Sequence, residues 1–407
     1  MTEKMRQNDF DIVIVGGGIV GLSFACELAG SDFSVAVVER NELRAVSDEP
    51  ECRVSAINRF ALQQFKQAGV WQSELRKRAC VFDRMFVWDQ TGAGQIEFDA
   101  VELGVPELGV IIENNVLQHL LLETVQAAEN IHYLCPEEIS SIDYQPKDGG
   151  QTRSGITLAS GAQLTAKLLV GADGAQSKVR EVASIQRQQQ AYGQQGLVCN
   201  VATSEPHQHT AWQCFMPTGP LAFLPMYNGE SSIVWSLDDA AASEYMALDD
   251  DAFKVALAEA GEYKLGEITD VHQRFLFPLG HGHSSDYVRP GLALIGDAAH
   301  SIHPLAGQGA NLGIADAAAL AEIITQARKA GRQWTALHTL AKYQRQRKGA
   351  NRLMETSMTA FKELFGNDNA LLSEVRNAGL TLVDHLPALK YRVIRQALGA
   401  QMFTCEK

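Results

Sequence analysis

Gly16, Gly18 and Gly21 stand in a G-x-G-x-x-G spacing, and the chemistry that spacing serves is pyrophosphate binding. The first glycine permits a tight turn, the second lets backbone approach the phosphates, and the third lets a helix pack on the preceding strand. The free N–H groups that open such a helix then face the anion. Glu39 follows Gly21 by eighteen residues, where a carboxylate can accept both hydroxyls of an adenosine ribose. A second acid, Asp297 in Gly296-Asp297-Ala298-Ala299-His300, is suited to the ribityl hydroxyls of a flavin. The run from His303 to Gly313 is glycine-rich and opens a long helical stretch. Backbone at Pro304, Gly309, Ala310 and Asn311 would face a flat ring, because glycines leave no side chain in the way. Reduced flavin carries negative charge at N1 and O2, which a helix N-terminus favours by up to about 2 kcal/mol. Together these groups predict FAD.

Four apolar runs must position them. Asp11–Val15 leads into the first glycine cluster, and Ser34–Glu39 into Glu39. With the helical stretch Ile19–Ala29 between them they form a βαβ unit. Leu168–Val170 ends at Gly171-Ala172-Asp173-Gly174, and Leu292–Ile295 ends at Gly296-Asp297. Continuous apolar runs of this kind are buried parallel strands. If the three glycine-bearing ends meet in one sheet, the nucleotide domain is discontinuous. The expected division is 1–72, 100–180 and 280–340 for that domain, 73–99 and 181–279 for a substrate domain, and 341–407 for a helical C-terminal region.

Between Gly196 and Phe277 the pattern changes to short β-rich runs, Leu197–Val201, Leu221–Met226, Ser232–Leu237 and Val271–Phe277, broken by Gly, Pro and Asn. That reads as a mostly antiparallel sheet, interrupted by a helix near Leu248–Ala260. After Gly309 the chain reads as helices: Ile314–Ala330, Leu337–Arg352, Met354–Phe365 and Leu371–Leu386. The fold class is therefore α/β: a Rossmann-like FAD-binding domain, an inserted antiparallel β-sheet substrate domain and a helical C-terminal region.

Composition narrows the function. A net charge of −13 argues against a nucleic-acid partner. The seven cysteines are scattered without a C-x-x-C pair, so neither a metal site nor a redox pair is expected. No apolar run reaches the ~18 residues of a membrane span, and the polar Met1–Asp9 lacks the apolar stretch of a signal peptide. A cytoplasmic protein is expected. Gly92-Ala93-Gly94 and Gly280-His281-Gly282 lack a third glycine, so any nicotinamide nucleotide must dock transiently.

The set Gly16–Gly21, Glu39, Arg53, Gly171–Gly174, Gly296-Asp297 and His303–Gly309 resembles the single-component FAD aromatic hydroxylases. The run His303–Gly313 is similar to the signature of the ubiquinone-biosynthesis branch (UbiH, UbiF and UbiI), and the likeness covers nearly the whole chain. Ser232–Leu237 and Ile394–Gly399 lean toward UbiI, while Pro217–Pro220 leans equally toward UbiF. The resemblance implies hydroxylation of a polyprenylated phenol or quinol through a C4a-hydroperoxyflavin, with O2 as co-substrate and NAD(P)H as electron donor. It also implies roles for Arg53 near the flavin, for Gln118 at the FAD phosphates, and for Phe223, Leu224 and Pro225 in the substrate pocket. His303 is a weak candidate for a phenol-activating base, and no catalytic residue is otherwise assigned. Two rivals stand beside this reading: an FAD hydroxylase of a small aromatic compound, and a non-catalytic flavin-binding subunit of a biosynthetic complex. Arg274 is the sole arginine between Gly196 and Phe277, which favours a greasy ligand over a small charged one.

Residues 341–407 carry eleven Lys and Arg against six Asp and Glu, a basic tail on an acidic chain. Because a prenyl tail is insoluble, this region is expected to meet a membrane surface or a partner in a ubiquinone-biosynthesis complex.

Overall fold

The computed structural model describes residues 8–92, 94–146, 152–301 and 309–365. At its centre the strand Asp9–Val15 is buried at every position after Asp9. It lies in a parallel run ordered Leu292–Leu294, Gln163–Gly171, Asp9–Val15, Val35–Val38, Ile131–Leu134. Val15 pairs in register with Gly171 and Val38, and Gly171 pairs with Leu294. Three glycine-bearing turns from distant parts of the sequence are thus set side by side at the carboxyl ends of the strands. Ligands of open α/β sheets bind at this edge. Ser154–Leu158 and Ile139–Tyr144 extend the sheet as an antiparallel ribbon.

Helices Ile19–Glu27, Asn114–Ala127 and Gly309–Lys329 pack together on this sheet in one continuous core. The close fit of the first and third depends on Gly313, where a Cβ would lie 2.4 Å from Val20 Cγ2. The expected helices Leu337–Arg352 and Met354–Phe365 are one helix, Leu337–Phe365. Nothing between Arg352 and Met354 breaks the hydrogen-bond ladder, since Leu353 is itself a good helix former. The stretch Leu371–Leu386 lies outside the described residues.

The second sheet has nine strands. It is antiparallel except where Thr210–Phe215 runs parallel to Arg84–Asp89. The expected short strand at Leu197–Val201 lies in the second half of a 17-residue strand, Arg187–Thr203. Its polar first half still pairs, with Phe275–Ser284, across a register shift between Ala191 and Gln194. Periodicity misses that half because it offers few apolar residues. The expected run Val271–Phe277 is divided between Ile268–Val271 and Phe275–Ser284. Two helices cover one face, Asp239–Ala247 and Asp250–Ala260. Each is started by an aspartate, Asp238 or Asp249, whose side chain accepts the N–H three residues on at 2.8 Å. The second is the helix expected near Leu248–Ala260; the first, set apart from it by the Asp249 cap, is additional.

A three-stranded sheet, Val54–Asn58, Gly109–Glu113 and Cys80–Phe82, fills the space against the other face. Ala56, Phe82, Leu108 and Ile111 share a core with Ala211, Ala222 and Leu224 of the large sheet. No helix among the described residues is long and apolar enough to cross a membrane.

Candidate functional site

The first glycine turn separates the three expected roles. Gly16 has φ +106° and a Cβ there would lie 2.4 Å from the Ala172 carbonyl oxygen; one on Gly21 would lie 2.0 Å from the Gly16 carbonyl oxygen. Both are glycine because backbone occupies the space. Gly18 is different, since a Cβ there would meet nothing within 4 Å. It caps the helix Ile19–Glu27 without a side-chain hydrogen bond, and the first turn holds no acid. Bare backbone, open space and an uncompensated helix N-terminus coincide, the arrangement that accepts a pyrophosphate.

Glu39 already grips the turn: Oε2 accepts Gly17 N–H at 2.6 Å and Oε1 accepts Asn41 N–H at 2.8 Å. Each oxygen keeps a lone pair for a hydroxyl. On the neighbouring strand end, Asp173 Oδ2 accepts Val179 N–H at 3.2 Å, while buried Oδ1 has no partner among the described residues.

At the third strand end Gly296 adopts φ +58° and presents Asp297. Asp297 is exposed, yet protein crowds its carboxyl group. That crowding raises its pKa above the ordinary carboxylate value, while His300, Arg187 and Arg53 pull it back. Arg187 Nη1 donates to the carbonyls of Ala175 (2.5 Å) and Asp297 (3.2 Å), and Nη2 to Ser301 Oγ at 2.6 Å. Arg180 donates to the carbonyls of Ala298 at 2.9 Å and Ala175 at 2.8 Å. The two arginines staple the Gly171–Gly174 turn to the Gly296-Asp297 turn. Nothing in their sequence context marks them out.

Of the other expected residues, His303 and Pro304 lie outside the described residues. Gly309 and Ala310 open the helix Gly309–Lys329, and a Cβ on Gly309 would meet nothing within 4 Å. Asn311 is buried and its side chain is spent within the protein: Oδ1 accepts Asn58 N–H at 2.9 Å, and Nδ2 donates to the Ala56 carbonyl at 2.7 Å. It fastens the three-stranded sheet to the helix start, and only its backbone is left for a ligand. Arg53 is exposed, with its guanidinium 5.0 Å from the centroid of the Phe277 ring. Gln118 is half-buried on the helix Asn114–Ala127. Neighbouring His119 Nε2 and Asn115 Nδ2 hold the Arg44 and Ala45 carbonyls at 2.8 and 3.5 Å.

Phe223, Leu224 and Pro225 all belong to the buried strand Leu221–Pro225, but strand alternation sends the first two in opposite directions. Phe223 packs with Trp88, Phe253 and Leu257 beneath the covering helices, whereas Leu224 joins Ala56 and Ile111 on the inner face. Register places Ala222, Val234, Ser236, Gly196, Val198 and Phe277 on Leu224's face. Arg53 stands over that face, whose central side chains are small.

A family model described as an FAD binding domain matches residues 9–357. The chain belongs to this FAD-binding family. It is 35% identical over 397 residues to 3-demethoxyubiquinol 3-hydroxylase of Escherichia coli (strain K12), covering 97% of this chain and 100% of that one. It is 32% identical over 432 residues to the mitochondrial ubiquinone biosynthesis monooxygenase COQ6 of Danio rerio, covering 95% and 89%. Among solved structures, PqsL of Pseudomonas aeruginosa, titled a probable FAD-dependent monooxygenase, superposes with a TM-score of 0.75 at 23% identity over 92% of this chain and all of that one. That likeness supports the Rossmann-like sheet with its inserted antiparallel layer.

FAD fits the residues present. The open cradle at Gly18, the crowded acid at Asp297 and the helix start at Gly309 offer donors and acceptors of the types that a pyrophosphate, a ribityl chain and an anionic ring require. Sequence reading passed over Asp316, the sole charged residue between Gly309 and Ala321. An acid alone in an alanine-rich buried run was the available signal. It is fully buried, where an unpaired carboxylate would be prohibitively costly.

Proposed function

We propose that this protein is an FAD-dependent monooxygenase hydroxylating the aromatic ring of a polyprenylated phenol or quinol in ubiquinone biosynthesis. Backbone at Gly16–Gly21 would hold the pyrophosphate, Glu39 the adenosine ribose and Asp297 the ribityl chain. Gly309, Ala310 and the backbone of Asn311 would face the ring, and Arg53 and Gln118 would flank the cofactor. When bound and reduced by NAD(P)H, FAD supplies the activation of O2 that ring hydroxylation needs. The remaining work belongs to the chain: to orient an electron-rich ring and exclude water.

The observation that carries the reading is the inner face of the large sheet. Ser236 and Gly196 are small and lie beside Val198 and Phe277 under Arg53, next to the part of the face that the three-stranded sheet covers at Ala222 and Leu224. Leu224 rather than Phe223 is the residue of its strand that faces this side. Names of the two relatives support the substrate class, and that of the Escherichia coli relative makes a demethoxylated quinol the first substrate to assay. The domain division given above accompanies this reading. A peripheral membrane contact of a cytoplasmic enzyme, or a place in a biosynthetic complex, would deliver the lipid.

Purified protein supplied with NADPH, a short-tailed prenylated phenol and 18O-labelled O2 should yield ring-hydroxylated product carrying one labelled oxygen. Label arriving from water, or NADPH oxidation with no hydroxylated product, would overturn the proposal.

A further inference from the structure

Asp316 joins four elements through one carboxylate. Oδ2 accepts the Gly296 N–H at 3.1 Å and faces His300 Nε2 at 2.5 Å; Oδ1 accepts Arg347 Nε at 2.7 Å and Asn351 Nδ2 at 3.3 Å. Arg347 Nη2 reaches the Leu312 carbonyl and Asn351 Oδ1, at 3.3 and 3.0 Å. All four side chains are buried. Tyr287 packs against the His300 ring with centroids 5.7 Å apart. The partners come from the turn Gly296–Ala298, the strand His300–Ser301, the helix Gly309–Lys329 and the helix Leu337–Phe365. A buried charge cluster is a poor way to gain stability compared with apolar packing, so its presence beside the turn that presents Asp297 calls for another purpose. A Gly296 in the left-handed region does not hold one conformation by itself; the Asp316 carboxylate fixes it from inside.

We infer that Asp316 and His300 are positioning residues that hold the Gly296-Asp297 turn in the conformation that binds FAD, with Arg347 and Asn351 anchoring Asp316 from the C-terminal helix. The inference rests on the reading of Asp297 as a flavin ligand. His300 donates its Nε2–H to the Asp316 carboxylate, and nothing requires it to touch the cofactor.

The experiment goes through His300, because removing Asp316 leaves a buried guanidinium unpaired. Full-length wild type, His300→Leu, His300→Gln, Asp297→Ala and the Asp297→Ala/His300→Leu double variant are purified, stripped of flavin and titrated with FAD by fluorescence. Thermal unfolding of each apoprotein is followed by circular dichroism. His300→Leu should weaken FAD at least tenfold, and His300→Gln, which keeps an N–H donor near the Nε2 position, should stay within about threefold of wild type. In the Asp297→Ala background the His300→Leu effect should shrink to threefold or less, because both act through one turn. Equal FAD affinity in wild type and His300→Leu, a His300→Gln as weak as His300→Leu, or additive effects in the double variant would each overturn the inference. If His300→Leu unfolds before it can be titrated, the Asn351→Leu variant replaces it with the same expected coupling. Wild type that binds FAD while Asp297→Ala binds equally well overturns the ligand reading instead, and the inference with it.

Discussion

A Cβ on Gly21 would overlap the Gly16 carbonyl oxygen at 2.0 Å, whereas one on Gly18 would point into open space. Gly21→Val is therefore expected to damage the apoprotein by the 1–3 kcal/mol or more that overpacking costs. Gly18→Val should leave apoprotein melting nearly unchanged and still abolish FAD retention. Parallel melting and FAD titration distinguish the two, and loss of stability in both variants would assign Gly18 to packing. Asp297→Ala removes a charged acceptor, worth about 1.5–3 kcal/mol, so FAD should bind roughly 10- to 100-fold more weakly in the same titration. His283 gives a pH signature. Burial, then Arg352, His300 and Lys348, pushes its imidazole down to about 4 from an ordinary 6.5. The folded state thus resists protonation that the unfolded chain accepts. Stability from this group is complete above pH 6.5, falls as the pH drops, and levels off near 4. Urea unfolding between pH 7.5 and 4 should show that slope in wild type and a shallower one in His283→Gln. These residue roles were unequally legible. A glycine's missing Cβ is written in its type, so Gly16 and Gly21 could be read directly. The turning of Asn311 toward Asn58 and of Phe223 away from the inner face depends on which element lands beside each, and no local spacing encodes that.

Residues 47–53, which carry Arg53 to the inner face, are held by a clasp rather than by their own secondary structure. Arg78 makes paired bonds to Glu113, Nε to Oε2 at 2.8 Å and Nη2 to Oε1 at 2.7 Å, and donates to the Ser47 carbonyl. Glu113 Oε1 also accepts the Glu51 N–H at 2.7 Å. Asn200 and Ser232, on the large sheet, donate to the Pro50 and Cys52 carbonyls, each at 3.1 Å. Arg78 and Glu113 are 14% and 2% exposed, so Arg78→Met strands a buried carboxylate. Loss of one partner from a buried pair costs about 3–5 kcal/mol, and replacing both costs far less. Urea unfolding should place Arg78→Met/Glu113→Gln nearer wild type than Arg78→Met, whereas proteolysis within 44–53 should accelerate in both, since each lacks the Arg78 bond to the Ser47 carbonyl. Equal stability of single and double variants would mean that the pair does not act as a unit. Strands and helices were legible here because burial repeats along them. This clasp was not, since its two ends lie 35 residues apart and an Arg and a Glu at such a distance carry no pattern.

Seen as a whole molecule, the acidic chain concentrates its basic excess on one helix. Between Ala341 and Phe365 six Lys and Arg face two Asp and Glu. The fold consumes part of that excess: Arg347 is buried on Asp316, and Lys348 donates to the Ser285 carbonyl. Three more are on display. Lys342, Arg345 and Arg352 are exposed at spacings of three and seven residues, which puts them on one side of the helix with Leu353, itself 54% exposed. Anionic headgroups attract each such cation by about 1 kcal/mol near the surface, so three are worth roughly 3 kcal/mol and a partition change of about a hundredfold. An exposed leucine adds an apolar contact at the same interface. If the substrate is the proposed polyprenylated phenol or quinol, which dissolves only in a bilayer, that attraction would raise the encounter rate without altering the site. Charge reversal at the three positions, Lys342→Glu, Arg345→Glu and Arg352→Glu, should leave FAD binding unchanged because none belongs to the Asp316 cluster. Binding to vesicles rich in anionic lipid should fall about a hundredfold or more, and 0.5 M salt should erase most of the wild-type advantage. Turnover of a long-tailed substrate presented in those vesicles should drop in step, while turnover of a short-tailed soluble analogue stays at the wild-type level. Equal loss on both substrates, or vesicle binding insensitive to the reversal, would mean that these cations only solvate the helix and that the lipid reaches the enzyme by another surface.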